Sequence, residues 1–279
     1  MTRPIRYFFG RLNVVMPSDQ KKALLKKGFE AKQTLSKYGC DWGFFDIQEI
    51  ETEEGVFFAG YLAKFKSEGE AEVAMPEKHQ LVEESIKNKV IAKSRFFLHV
   101  KSGLMAYHPV GADIDRETFS ERFVALFQLG QDFFFDADVQ AIEEQYKILE
   151  TMKKFEKITK VRISLHPSNP SNTDLWKGID DRLKKIGVSN YIEEFETKNP
   201  ENGLEIVDDL EVKGKVAMAD DGYGRADVTG IIEGEHKTIS TKDNPISVAV
   251  TSAPEEAEKT LDSLMTTIRK IFSRFNKKK

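Results

Sequence analysis

The sequence predicts an α+β fold in which antiparallel sheets carry flanking helices. Segments rich in aromatic and β-branched residues occur in neighbouring pairs joined by short turns, which is typical of β-hairpins. Other segments repeat apolar residues at helical spacing. A strand followed by a helix opens each half of the chain, although no repeat of fixed period is evident. We therefore expect two α+β domains, covering residues 1–154 and 155–279.

The first quarter of the chain predicts a strand, a helix and a hairpin. A strand over residues 5–15 precedes an amphipathic helix over 21–36. Residues 42–50 and 56–65 form the first hairpin, since the second of these segments alternates apolar and other residues. Residues 68–78 are polar and include a proline, which favours a mobile connection.

A second hairpin and two helices complete the predicted N-terminal domain. Residues 94–101 and 104–110 flank a Ser-Gly pair suited to tight reversal. Helices are expected over 118–129 and over 137–154, where apolar residues recur along one stripe. We place the domain boundary near Lys154, after this connecting helix.

The second half predicts several strands and a basic C-terminal helix. We expect a strand over 160–165, a helix over 173–186 closed by Gly187, and a strand over 204–218. Short strands are predicted over 226–233, 237–240 and 246–251. The final helix carries an apolar stripe, which we interpret as packing on the chain's own sheet, with an intermolecular seam as the alternative. The stripe consists of Leu261, Leu264, Ile268 and Ile271.

Composition restricts the classes of protein. With 40 % hydrophobic and 32 % charged residues, the chain is too apolar for a wholly disordered protein and too charged for a membrane protein. Its single cysteine, Cys40, cannot form an intramolecular disulfide and fits a reducing cytoplasm. No stretch reaches the roughly 18 consecutive apolar residues that span a bilayer. We expect a cytoplasmic protein that needs no cofactor.

Catalytic motifs are weak. The sequence has no Gly-x-Ser-x-Gly elbow, no histidine pair at one-turn spacing and no Walker loop. GYGR at 222–225 lacks a following long helix and predicts a flexible turn. One enzyme alternative uses Glu211 and Lys213, which on a strand would project to the same side, as a metal-dependent nuclease requires. Asp180 or Asp181 would supply its second ligand, although a solvated strand face explains the motif more simply.

Charge distribution favours nucleic-acid binding over catalysis. The net charge is only -4, yet cations cluster near both ends, and residues 193–211 are strongly acidic. Grouped cations neutralise DNA phosphates without reading base sequence. We predict that folding brings the cations into one cradle for double-stranded DNA. If about six phosphates are neutralised, the log-log dependence of affinity on salt has a slope near -5. The candidate contacts are Arg3, Arg6, Arg11, Lys21, Lys22, Lys26, Lys27, Lys177, Arg182, Lys184, Lys185, Lys213, Lys215, Arg225, Arg269, Lys270 and Arg274.

A family resemblance agrees with this hypothesis. The sequence SRFFLHVKSGLMAYH at 94–108, followed by a helix through Phe119 and Phe123, resembles the central hairpin and helix of the Rex exclusion A family of phage proteins. ISLHP at 163–167 and the order of elements up to the basic final helix resemble the carboxyl-terminal half of that family. The chain is also similar to the Kiwa B defence proteins.

The resemblance implies a homodimer that binds duplex DNA without marked sequence preference and acts in phage exclusion or anti-phage defence. It supplies no catalytic residues. An adaptor is the alternative from a different class, in which the apolar C-terminal helix docks to a membrane-protein effector or a sibling subunit while the lysines serve solubility. Direct insertion of the chain into a membrane is not expected.

Overall fold

The computed structural model contains two antiparallel sheets and six helices in the residues it describes, so the α+β prediction is confirmed. The described residues are 4–14, 20–75, 77, 80–133, 135–168, 173–198, 201, 203–251 and 256–275. The strands are β1 (Ile5–Val14), β2 (Leu35–Lys37), β3 (Cys40–Thr52), β4 (Gly55–Met75), β5 (Gln80–His99), β6 (Leu104–Tyr107), β7 (Ala137–Ala141), β8 (Lys157–Leu165), β9 (Tyr191–Glu196), β10 (Gly224–Ile232), β11 (Glu235–Ser240) and β12 (Ser247–Val250). The helices are α1 (Lys21–Glu30), α2 (Arg116–Leu129), α3 (Lys147–Met152), α4 (Lys177–Ile186), α5 (Leu210–Met218) and α6 (Ala257–Ser273).

The first sheet has the strand order β12-β1-β6-β5-β4-β3-β2, and β7 also pairs with β1. Alternate side chains point to opposite faces of a strand, so each face of this sheet builds its own core. Phe58 and Leu62 of β4 pack with α1 and α2, whereas Phe57 and Ala59 pack with α6. The sheet is therefore covered by helices on both faces.

The apolar stripe of α6 is buried against the first sheet. Leu261, Leu264, Ile268 and Ile271 belong to the same core as Phe9 of β1. The predicted packing on the chain's own sheet is confirmed. The adaptor hypothesis loses its docking surface, because this stripe is not free to bind a partner.

The second sheet has the order β11-β10-β8-β9 and is covered by α3, α4 and α5 on one face. Val161 and Ile163 of β8 pack there with Trp176 and Val228. The predicted boundary at Lys154 precedes this sheet, since β8 begins at Lys157. The chain then returns to the first sheet through β12 and α6, so the second sheet is inserted between elements of the first.

Three predicted elements are wrong, and the helix predicted over 21–36 is shorter than expected, since α1 ends at Glu30 and β2 begins at Leu35. Residues 137–154 are not one helix: β7 extends the ladder of β1 from Gly10↔Ala141 to Val14↔Ala137, and only α3 is helical. Residues 68–75, within the polar stretch predicted as a mobile connection, belong to strand β4 and pair with β5. The strand predicted over 204–218 is helix α5, whose amino terminus is capped where the Val212 N–H donates to the Asp209 carboxylate at 2.9 Å.

No helix among the described residues is both long enough and apolar enough to cross a membrane.

Candidate nucleic-acid interface

A buried polar junction joins the two sheets. Residues Ala219–Tyr223 form a π-helical turn that contacts β1, β7, β8 and β10. Gly222 has a φ of 82° and Gly224 a φ of 155°, both in the region that favours glycine. A Cβ on Gly224 would lie 2.0 Å from the Ser164 carbonyl oxygen. The prediction of a flexible turn at 222–225 is therefore wrong, because close packing on all sides holds this segment in place.

Arg11 of β1 lies inside this junction and is fully buried. Its Nε donates to the Asp221 carbonyl at 2.9 Å, and its Nη1 donates to the Ser102 carbonyl at 2.9 Å. The guanidinium also lies 4.3 Å from the centre of the Tyr223 ring. Arg11 was predicted to contact DNA, but its surroundings leave no path to a phosphate.

Arg274, just after α6, ties the C-terminal helix to the same junction. Its Nη1 donates to the Asp221 carboxylate at 3.1 Å and its Nη2 donates to the Glu143 carbonyl at 2.8 Å. The Trp176 Nε1 donates to the other Asp221 oxygen at 3.1 Å. Because both members of the Arg274–Asp221 pair are buried, Arg274 acts in the fold and is not available as a DNA contact.

Glu143 and Asp220 are two further buried acids that the sequence did not single out for chemistry. Burial raises the pKa of Glu143 to about 7. Burial, with the nearby charges of Glu143 and Asp221, raises the pKa of Asp220 well above its usual value. Neither Asp220 carboxylate oxygen has a hydrogen-bond partner among the described residues. Burial raises the pKa values of these two acids. The sequence did not indicate this, because an Asp-Asp pair in a glycine-rich segment is usually exposed.

Two candidate lysines are buried as well. The Lys21 Nζ has no described hydrogen-bond partner, and burial, with a contribution from Arg11, lowers the pKa of Lys21 to about 7. The Lys215 Nζ lies 2.6 Å from Glu193 and 2.8 Å from Glu211. Burial opposes protonation of Lys215, but these two carboxylates outweigh it and raise its pKa. Neither lysine is placed to bind DNA.

Most of the remaining candidates are matched to carboxylates. The pairs are Lys22 with Glu49, Lys26 with Glu30, Lys27 with Asp132, Lys184 with Asp180, Lys213 with Asp208, Arg225 with Asp227, Arg269 with Glu53 and Glu54, and Lys270 with Glu144. Helices α1 and α6 also lie on opposite faces of the first sheet. The predicted single cradle is therefore not formed by the described residues, because cations on these two helices cannot share one surface. Arg3 lies outside the described residues.

Four candidates have no ion pair with any described residue: Arg6, Lys177, Arg182 and Lys185. Arg6 donates to the Ser247 hydroxyl at 3.0 Å. The other three are exposed on α4, whose inner face buries Asp180 and Leu183. At 100° per residue, Lys177, Arg182 and Lys185 all lie on the outward side of α4, within about 12 Å along its axis. Asp181 is the acid that shares this side.

The strand placement assumed for Glu211 and Lys213 in the nuclease alternative is wrong. Glu211 and Lys213 are on helix α5, where residues two apart point about 200° away from each other. Each binds a different neighbour: Glu211 pairs with Lys215, and Lys213 pairs with Asp208 at 2.9 Å. Asp180, proposed as a metal ligand, accepts hydrogen bonds from Ser168 and Lys184. No group of three potential metal ligands is suitably arranged within the described part of the chain.

An open polar cleft of about 430 Å³ lies beside the junction, between the amino end of α2 and the second sheet. Arg116, Arg225 and Lys242 line it together with Asp115 and Asp243. The Arg116 Nη1 donates to the Lys242 carbonyl at 3.2 Å, and Arg225 pairs with Asp227 at 2.8 Å. Two of the three cations of this cleft, Arg116 and Arg225, are therefore engaged within the protein, whereas Lys242 is exposed.

Comparison with known proteins identifies the family of the chain. Residues 5–269 match the family model described as Domain of unknown function (DUF4747). None of the curated proteins compared with the chain matches it. Because the family model covers nearly the whole sequence, the chain belongs to the DUF4747 family.

Proposed function

We propose that this protein binds double-stranded DNA through phosphate contacts from the outward side of α4, without reading base sequence. The main support is the placement of three cations on one side of α4. Lys177, Arg182 and Lys185 are exposed there and have no carboxylate partner among the described residues. Phosphate contacts supply most of the affinity in non-specific DNA binding. An exposed cation that has no carboxylate partner can contact a phosphate without first breaking an ion pair.

The structure reduces the expected strength of this binding. Three phosphate contacts on one α4 give a log-log salt slope of roughly -2.7, against about -5 for the six contacts expected from the sequence. The net charge of -4 adds no general attraction to DNA. We therefore propose weak, strongly salt-dependent binding in the cytoplasm, with phage exclusion or anti-phage defence as its setting because of the sequence resemblance.

A matched pair of triple variants tests this proposal. The first is Lys177→Gln/Arg182→Gln/Lys185→Gln, and the control is Lys22→Gln/Lys27→Gln/Arg269→Gln, which removes the same three charges from exposed but paired positions. Binding to a fluorescent duplex of arbitrary sequence is measured by anisotropy at low salt. We expect the α4 variant to lose at least about tenfold in affinity while the control changes less than about threefold.

Equal losses in the two variants would mean that overall charge, and not the α4 surface, drives binding. Absence of binding by the unmodified protein to any duplex at low salt would contradict the proposal directly.

A further inference from the structure

The hairpin of β4 and β5 extends beyond the body of the first sheet as an arm. Pairing of β3 with β4 ends at Asp41↔Phe65, whereas pairing of β4 with β5 continues to Met75↔Gln80. The arm, residues 66–75 and 80–89, is thus two-stranded and about 33 Å long. A two-stranded ribbon alone in water is only marginally stable, so an arm of this length gains from packing against another surface.

Exposed apolar side chains lie on one face of the arm and of the sheet at its base. Ile86 in the arm is 39 % exposed, and Val90, on the same face of β5 at the base, is 58 % exposed. This face continues into a groove of about 490 Å³ at the base of the arm, lined by Phe45, Tyr61 and Phe65. It is the same face of the sheet that α6 covers further along β4, where Phe57 and Ala59 are buried. The described helices leave this part of the face uncovered.

Charge is distributed unevenly along the arm. On the apolar face, Lys93 lies at the base and Glu84 lies nine residues nearer the tip. The opposite face repeats the pattern, with three lysines and one glutamate, Glu68, near the base and three further glutamates nearer the tip. The lysines are Lys66, Lys87 and Lys89, and the further glutamates are Glu70, Glu72 and Glu83. The arm is therefore basic at its base and acidic towards its tip, and it is complementary to a second arm running in the opposite direction.

We propose that two copies of the chain associate through these arms, apolar face against apolar face and antiparallel, about a two-fold axis close to Asn88. In this register Glu84 of each copy lies opposite Lys93 of the other. Ile86 then meets Val90, and the Phe65 ring lies over Gly69, which has no side chain to obstruct it. A two-fold axis forms every such contact twice, as in most homodimers. The proposal does not depend on DNA binding by α4.

Charge exchange tests this arrangement without disturbing a core, because Glu84 and Lys93 are both exposed. Lys93→Glu alone places two glutamate pairs across the interface, and Glu84→Lys alone places two lysine pairs there. An equimolar mixture of the two variants restores both oppositely charged pairs in a mixed dimer. Lys87→Glu, on the other face of the arm, is the matched control.

Association is measured by sedimentation equilibrium of the full chain. We expect a dimer for the unmodified protein and for Lys87→Glu, dimer dissociation constants raised at least about tenfold for each single variant, and recovery in the mixture. A monomer at every concentration would overturn the proposal. A mixture that associates no better than its separate components, or a Lys87→Glu variant weakened as much as Lys93→Glu, would also overturn it.

Discussion

Arg274 and Arg182 show how differently two cations of this chain are used. Arg274 lies in the junction between the sheets, buried, with hydrogen bonds to the Asp221 carboxylate and the Glu143 carbonyl. Arg182 lies on the outward side of α4, exposed and without an ion pair to a described residue. Burial with a partner makes the first arginine structural. Exposure without an ion pair to a described residue leaves the second arginine accessible to a phosphate, so a count of cations in the sequence overstates the number that are accessible.

We expect the largest loss of stability for Arg274→Met. The substitution leaves Asp221 buried without its cation, so we expect a loss of about 3–5 kcal/mol in the free energy of unfolding. Urea denaturation measures this loss, with Arg182→Met expected to stay within about 0.5 kcal/mol of the unmodified protein. Similar small effects for both variants would remove the distinction between the two arginines.

Lys21→Met should change stability in the opposite direction. Because the pKa of Lys21 in the folded protein is lowered to about 7, the unfolded chain binds more protons between about pH 7 and pH 10.5. The unmodified protein therefore gains stability as the pH rises through this window. We expect Lys21→Met to be more stable by about 2–3 kcal/mol at pH 7, with the advantage fading towards pH 10. A destabilised variant at pH 7 would show that Lys21 makes a favourable contact.

Glu143→Gln tests whether the pKa of Glu143 is raised in the junction, because the variant removes the titrating group. Since the folded protein holds the pKa of Glu143 at about 7, it binds more protons than the unfolded chain between about pH 4.5 and pH 7. This group makes the unmodified protein lose stability as the pH rises through that window. Relative to the unmodified protein, the free energy of unfolding of Glu143→Gln should increase by on the order of 1–2 kcal/mol as the pH rises through this window. Denaturation at several pH values measures this increase. A constant difference would mean that Glu143 titrates normally.

The smallest effect on stability is expected on α4. The triple variant Lys177→Gln/Arg182→Gln/Lys185→Gln removes no buried contact, and surface substitutions of this kind change the free energy of unfolding by only about 0.5 kcal/mol each. Thermal and urea unfolding should therefore remain near those of the unmodified protein. A large loss of stability would place these cations in the fold, as Arg274 is.

Sequence patterns correctly predicted the hairpins and helices whose structure depends on residues close together in the chain. The hairpin across Ser102-Gly103 is confirmed by the pairing of β5 with β6, and α2 begins where the Asp115 carboxylate accepts from the Thr118 N–H at 2.7 Å. Segment 137–154 was assigned wrongly because its first part pairs with a distant strand, whereas in segment 204–218 the local helix cap at Asp209 was missed. Residues 139–152 have helical apolar spacing, yet β1 recruits the first part as a strand, more than a hundred residues away in sequence.

The candidate site was predicted less well than the fold. Sequence placed the α4 cations among the candidates but could not separate exposed cations from Arg11, Lys21, Lys215 and Arg274, because burial and pairing arise from tertiary contacts. The buried acids Glu143 and Asp220 were missed for the same reason. The arm was missed because its glutamates and lysines read as a polar loop, although their alternation suits a ribbon exposed on both faces.

We propose that the exposed cations of α4, which have no ion pair to a described residue, contact DNA. The most direct test of this contact is the salt dependence of DNA affinity for the unmodified protein, the α4 triple variant and the triple variant at Lys22, Lys27 and Arg269. We expect the α4 substitutions to flatten the log-log slope by roughly 2.7 per chain bound and the control substitutions to leave it unchanged. An α4 variant that keeps the slope of the unmodified protein would show that these cations do not contact DNA.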